Sequence, residues 1–141
     1  MEQFCASMHP SEQVCLVLVD VDHFKDVNDR HGHLIGDAVL REVGSVLSAS
    51  IRSVDRVARW GGEEFLVALP SGTAVLGAEA AGRLRRRIEQ YAWSQQAPGL
   101  RLTVSAGVSA GRAGDFAVIL ARADAALYAA KGAGRNRVVS S

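Results

Sequence analysis

Arg59-Trp60-Gly61-Gly62-Glu63-Glu64-Phe65 is the stretch on which the reading of this chain turns. Two adjacent glycines between Arg56–Trp60 and the apolar run Phe65–Leu69 predict a β-hairpin, because glycine supplies the positive φ that a primed two-residue turn demands. Glu63 and Glu64 then stand at the hairpin tip. Alone, such a pair is an ordinary solvated acidic turn, since charged loop tips are common. A second acidic cluster shifts that balance. Asp20-Val21-Asp22 closes the run Val14–Val19, whose unbroken apolar character predicts a central strand buried on both faces. Its carboxyl end opens beside a neighbouring hairpin, so carboxylates from two elements can face each other. Hard oxygen donors arranged in this way suit Mg²⁺, which keeps some waters and completes its shell from substrate phosphates.

The chain of 141 residues is long enough for one domain, residues 1–141, with a core that needs no metal or disulfide staple. A net charge of +1 gives no support to a nucleic-acid binder, which would show a strong basic excess. Cys5 and Cys15 permit a bridge on count, but without metal spacing they read as plain thiols. No apolar run approaches the ~20 residues of a spanning helix, and Met1–Gln13 lacks the pattern of a secretory signal. A cytoplasmic location without membrane contact is the resulting expectation.

Met1–Gln13 is polar and reads as the frayed end of a helix. Phe24–Arg30 predicts a short helix, His31–Ile35 a loop, and Gly36 to about Ile51 a helix on the spacing of Val39, Leu40, Val43, Val46 and Leu47. Asp37 then lies in the first turn, where capping and the helix dipole favour a carboxylate without any ligand. His31 and His33 have no metal-ligand spacing and read as structural or exposed. Gly72–Tyr91 predicts a helix with Leu76, Ala80, Leu84 and Ile88 inward and Arg83, Arg85, Arg86 and Arg87 outward. Leu102, Val104, Ala106 and Val108 alternate with more polar residues, the period of a strand with one buried face. A last helix is expected over Asp115–Lys131, on Phe116, Ile119, Leu120, Ala123 and Leu127, followed by a short strand at Val138-Val139. This order fits an α+β sheet covered by helices.

Several of these stretches together resemble one known family. Gly61–Phe65 matches the signature of a GGDEF domain, the catalytic domain of diguanylate cyclases. Asp20-Val21-Asp22-His23-Phe24-Lys25-Asp26-Val27-Asn28-Asp29, with Gly32-His33 and Gly36-Asp37, is similar to the family pattern D-x-D-x-F-K-x-x-N-D…G-H-x-x-G-D. Ser105-Ala106-Gly107, Ala123–Tyr128 and Ala130–Arg137 match its closing motifs in order. The resemblance covers nearly the whole chain and implies a palm-like, ferredoxin-related fold with an antiparallel central sheet flanked by helices. It departs at the start, where the family's L-T-G-L-x-N-R-R segment is absent. The expectation is a shortened domain whose upstream regulatory module lies outside this chain.

The same resemblance implies a reaction and assigns residues to it. Two GTP molecules condense into cyclic di-GMP and two pyrophosphates between two protomers, a displacement that paired divalent ions suit. It implies two Mg²⁺ per site, with Mn²⁺ as the alternative, held by Asp20, the Val21 carbonyl and Glu63, with Glu64 assisting. Glu63 is also the implied base for the attacking hydroxyl. Asp22 is read as fixing the loop or pairing with a lysine. Lys25, Lys131, Arg135 and the amides of His23 and Phe24 match the triphosphate contacts. Each of these cations is otherwise a surface charge, and Lys131 at a helix C-terminus is favourable without a ligand. Asn28 and Asp37 match the pair that reads guanine. Arg52-x-x-Asp55, separated from Gly61 by five residues and joined by Arg83, matches the product-inhibition site. A P-loop is excluded, since no G-x-x-x-x-G-K-[ST] run exists. Two other readings stand beside the cyclase: a non-catalytic GGDEF-type receptor for cyclic di-GMP or GTP, and a cyclase with a mononucleotide product. The retained carboxylates weigh against the first, the R-x-x-D motif and the signature against the second.

Overall fold

β1 (Gln13–Val21) lies at the centre of a five-stranded sheet in the computed structural model, which describes residues 1–141. Around it the chain runs α1 (Glu2–Ala6), β1, α2 (Phe24–His31), α3 (His33–Ala49), β2 (Arg56–Arg59), β3 (Glu64–Pro70), α4 (Ala74–Gln90), β4 (Val104–Arg112), α5 (Phe116–Gly132) and β5 (Val138–Ser140). The sheet order is β2-β3-β1-β4-β5, antiparallel throughout except for the parallel β4–β5 pair. The expected α+β class with a mostly antiparallel sheet is what forms.

The unbroken apolar run of β1 has the predicted consequence. Because successive side chains leave opposite faces of a strand, Cys15, Val17, Val19 and Val21 enter the larger core with Phe24, Val39, Val43, Leu84 and Ile88, under α2, α3 and α4. Val14, Leu16 and Leu18 enter a second core with Leu66, Ile119, Ala123 and Leu127, under α5. Each fully buried aliphatic side chain contributes about 1.5–3 kcal/mol, so both faces resist slippage of β1 by one residue.

Several boundaries differ from the sequence reading. The N-terminal segment is docked rather than frayed: Cys5 is buried, the Phe4 ring lies under the Arg56 guanidinium, and Ala113 and Gly114 donate to the carbonyls of Glu12 and Pro10. The loop at His31–Ile35 shrinks to Gly32, whose φ of 86° lets α2 end and α3 begin within one residue. α3 therefore starts at His33, and Asp37 lies beyond its first turn, where the dipole argument loses force. On α4 the buried stripe is Gly77, Ala81, Leu84 and Ile88, while Leu76 is exposed. The cause is close approach to β1, since a Cβ on residue 77 would sit 2.2 Å from Cys15 Sγ. β4 is buried on both faces instead of one: Ser105 donates to Asp22, Gly107 lies against α5, and Ser109 is buried beside Ser141. Small and hydroxyl side chains concealed that second buried face.

Candidate active site

The β2–β3 connection carries the two signature glutamates, but not through the turn expected. Arg59 pairs with Phe65, so the connection spans Trp60–Glu63, and neither Gly61 nor Gly62 adopts the left-handed conformation. The loop is closed by the Trp60 amide donating to the Glu64 carbonyl at 2.8 Å and by the Arg59 guanidinium donating to the Gly62 carbonyl. Gly61 instead leaves room for the Glu64 side chain: a Cβ there would lie 2.7 Å from Glu64 Oε1. The Val21 amide donates to the Glu63 carbonyl, which pins the loop to the end of β1.

That contact brings the two acidic clusters together. Asp20 pairs directly with Glu64 across β1 and β3, and the Glu63 carboxyl lies against Asp20. Asp20 is 4% exposed, its Oδ2 is 2.8 Å from Lys131 Nζ, and its Oδ1 is buried with no donor. Burial holds Asp20 above the usual carboxylate range, against the pull of Lys131. Burial also raises Glu63, with the Asp20 charge adding to it, and raises Glu64, with Asp20 and Asp124 adding. A pocket of about 230 Å³ is lined by Asp20, Val21, Asp22, His23, Phe24, Lys25, Glu63, Lys131 and Arg135. Glu64 is not among its walls and instead lines a neighbouring hollow with Trp60, Phe116 and Asp124.

These residues fit a divalent cation. An orphaned carboxylate oxygen beside a second carboxyl, both reluctant to ionise, is an arrangement that positive charge relieves. No three His, Cys, Asp or Glu side chains converge into a closed cage. The donor set thus suits an ion that draws its remaining ligands from water and phosphate.

The cationic side of the pocket comes from two elements. Lys25 lies in the first turn of α2, whose leading amides have no intrahelical acceptor, and His23 before it is held at φ 54°. Lys131 and Arg135 come from the end of α5 and the turn after it. Arg135 and Asn136 both have positive φ, 64° and 49°. Arginine in that region costs about 1–2 kcal/mol, which surrounding contacts must offset. Those contacts include Asp22, a buried carboxylate that accepts from Thr103 Oγ1 at 2.7 Å, Ser105 Oγ at 2.7 Å and the Asn136 amide at 3.0 Å. Asp22 fixes the loop, as one of its two readings had it. Thr103, Ser105 and Asn136 carried no assigned role in the sequence, although Ser105 and Asn136 sit inside matched motifs.

Asn28 and Asp37 are placed on adjoining helices. A Cβ on Gly36 would fall 1.9 Å from Asn28 Oδ1, so glycine is what lets the Asn28 amide lie against α3, one residue before Asp37. Asn28 Oδ1 is buried without a partner, and Asp37 is exposed. Farther off, Arg52 and Asp55 form an ion pair at 2.9 Å. They line a cavity of about 180 Å³ with Arg83, Glu79 and Leu84. Asp55 also accepts from the Arg52 amide and is 6% exposed. The three residues expected to share a second site do share one cavity.

Residues 2–137 match the family described as diguanylate cyclase, GGDEF domain. Diguanylate cyclase A of Treponema denticola is 37% identical over 96% of this chain and 37% of its own length. The GGDEF domain of DgcB from Caulobacter crescentus, solved in complex with c-di-GMP, superposes with a TM-score of 0.83 at 37% identity, covering 92% of this chain and 78% of that one. The active GGEEF domain of a diguanylate cyclase from Vibrio cholerae superposes with a TM-score of 0.83 at 33% identity, covering 92% of this chain and 83% of that one. This chain spans roughly a fifth to two fifths of the length of the curated cyclases it matches. No helix is long and apolar enough to cross a membrane. With the fold, the motif order and the facing carboxylates in agreement, the chain belongs to the GGDEF-domain family of diguanylate cyclases.

Proposed function

We propose that this domain condenses two GTP into cyclic di-GMP and two pyrophosphates at a Mg²⁺-dependent site completed by a second protomer. The observation that carries this reading is the single pocket in which Asp20 and Glu63 face Lys25, Lys131 and Arg135. Lys25, Lys131 and Arg135, with the amides of His23 and Phe24, hold the triphosphate. Asn28 and Asp37 read guanine, whose N1–H and amino group are donors that a carboxylate can accept together, whereas adenine has an acceptor at N1. Glu63, its carboxyl raised toward the working pH, takes the proton of the 3′-hydroxyl as that oxygen bonds to the α-phosphorus of the other GTP. The bond to pyrophosphate breaks in the same displacement, and a reciprocal attack closes the ring. Divalent ions held by Asp20, the Val21 carbonyl and Glu63, with Glu64 at the edge, supply acidification of the hydroxyl and neutralisation of the leaving oxygens.

One pocket holds one GTP and the product joins two, so two protomers face each other with a roughly two-fold relation. Arg52, Asp55 and Arg83 form the site at which accumulated cyclic di-GMP slows the reaction. Incubation with GTP and Mg²⁺ followed by chromatography tests the reading. Cyclic di-GMP should appear, its rate per protomer should rise with protein concentration, and Glu63→Gln should lower turnover by about 10²-fold or more with the fold intact. Binding of cyclic di-GMP with no turnover would place the domain among receptors instead.

A further inference from the structure

We propose that Asn136 is a positioning residue for the triphosphate, holding Arg135 toward the pocket, and that Arg85 and Glu89 on α4 act on GTP binding through it. This rests on the assignment of Arg135 to the triphosphate. The turn Gly134–Arg137 places three successive residues at positive φ, 122°, 64° and 49°. It is secured on every side: the Arg135 amide donates to the Ala130 carbonyl, Arg137 Nε to the Arg135 carbonyl, and the Asn136 amide to Asp22 Oδ2. The Arg135 guanidinium itself takes no protein partner and lines the pocket with Lys131 and Asp20. A strained turn that presents one free guanidinium to the pocket is built to hold that side chain's origin still.

The Asn136 side chain is what ties this turn to the rest of the molecule. Its Oδ1 accepts from Arg85 Nη1 at 2.8 Å, and its Nδ2 donates to Glu89 Oε2 at 2.6 Å, while Arg85 and Glu89 pair with each other at 3.2 Å. The amide offers, on separate atoms, both the acceptor and the donor that this arrangement demands, and asparagine is one of the few non-glycine residues that tolerate the left-handed conformation. An aspartate would set a second carboxylate against Glu89. A merely structural role would leave ligand discrimination untouched; a positioning role acts on the phosphates and not on the base.

The test compares binding of a non-reactive GTP analogue with binding of GMP, by calorimetry in Mg²⁺. Asn136→Gly keeps the backbone conformation and removes the side chain; Arg85→Ala removes one of its partners from outside the pocket. Each should weaken the triphosphate analogue about tenfold and GMP less than about twofold. The effect of Asn136→Gly should also shrink sharply in an Arg135→Ala background, because a residue that acts only through Arg135 has nothing left to position. Equal losses for both ligands, or additive losses in the double variant, would overturn the proposal. If Arg135→Ala alone fails to separate the triphosphate from GMP, the phosphate assignment itself is wrong and the positioning role falls with it.

Discussion

Lys131 Nζ lies 2.8 Å from Asp20 Oδ2, joining the last turn of α5 to the end of β1 beneath the signature loop. One ammonium therefore faces three carboxyls, those of Asp20, Glu63 and Glu64, all of which burial raises above their ordinary range. The pair is an incomplete answer to the charge gathered there.

A pH dependence follows from that excess. A carboxyl raised in the folded chain binds more protons there than in the unfolded chain, so stability falls as pH climbs through the raised values. The decline begins above the ordinary 3.8 of aspartate and 4.5 of glutamate. Without divalent ions the thermal midpoint should drop over the interval above about pH 5, and Mg²⁺ should restore more of it as pH rises. A midpoint that rises over this interval in chelator would contradict the electrostatic account of the site.

Gly36→Ala forces a methyl into the space of Asn28 Oδ1. The displaced amide should weaken GTP binding far more than ATP binding, as should Asn28→Ala combined with Asp37→Ala. A cost of about 1–3 kcal/mol in stability accompanies the overpacking. Equal losses for the two nucleotides, measured by competition, would remove guanine from this place.

Arg52→Ala should leave the initial rate nearly unchanged and straighten the progress curve as product accumulates. Asp55 is the poorer target, because its buried carboxylate also accepts the Arg52 amide, and its removal costs about 1–3 kcal/mol of stability. Curves that bend equally for parent and Arg52→Ala, with GTP in excess, would locate the inhibition elsewhere.

Gly107→Ala places a Cβ 2.1 Å from the Ala123 carbonyl and 2.3 Å from the Leu127 amide, so α5 must lift from β4. A loss of about 3 kcal/mol is expected, because the obstacle is backbone and cannot turn aside. Thiol labelling reads it out: burial pushes Cys15 up to about 11 and raises Cys5, so neither reacts readily in the folded chain. Labelling of Cys5, which shares the α5 core, should be faster in the variant at about pH 8, while Cys15 on the α4 face stays slow; an unchanged Cys5 rate would mean that α5 stays seated.

How legible each feature was depended on whether its cause was local. The two-faced burial of β1 was readable because Val14–Val19 is apolar at every position, a pattern solvent would not tolerate on either side. β4 has the same burial but the alternation of a one-faced strand, because Ser105 and Gly107 are small or polar for reasons that lie at Asp22 and on α5. Nothing in the sequence around Gly32 signals that one residue joins two helices, so the helical spacing alone starts α3 too late and sets Asp37 in its first turn. The glycines of the signature pointed to a primed turn, yet Gly61 serves a contact with the Glu64 side chain and no left-handed backbone.

The sequence by itself determined the family, the central strand, the order of elements and the residue types at the pocket, since these rest on periodicity and on motifs of fixed spacing. Tertiary structure alone decided which carboxyls share a pocket, that Glu64 lines its neighbour, and that Asp22 is spent on holding the Arg135 turn. The reason is physical. Hydrogen bonds such as Asn136 to Asp22, Arg85 and Glu89 close over separations of 114, 51 and 47 residues, and no local propensity encodes a partner so far along the chain. Only the packing of α4 and α5 on the two faces of one sheet brings those groups within reach.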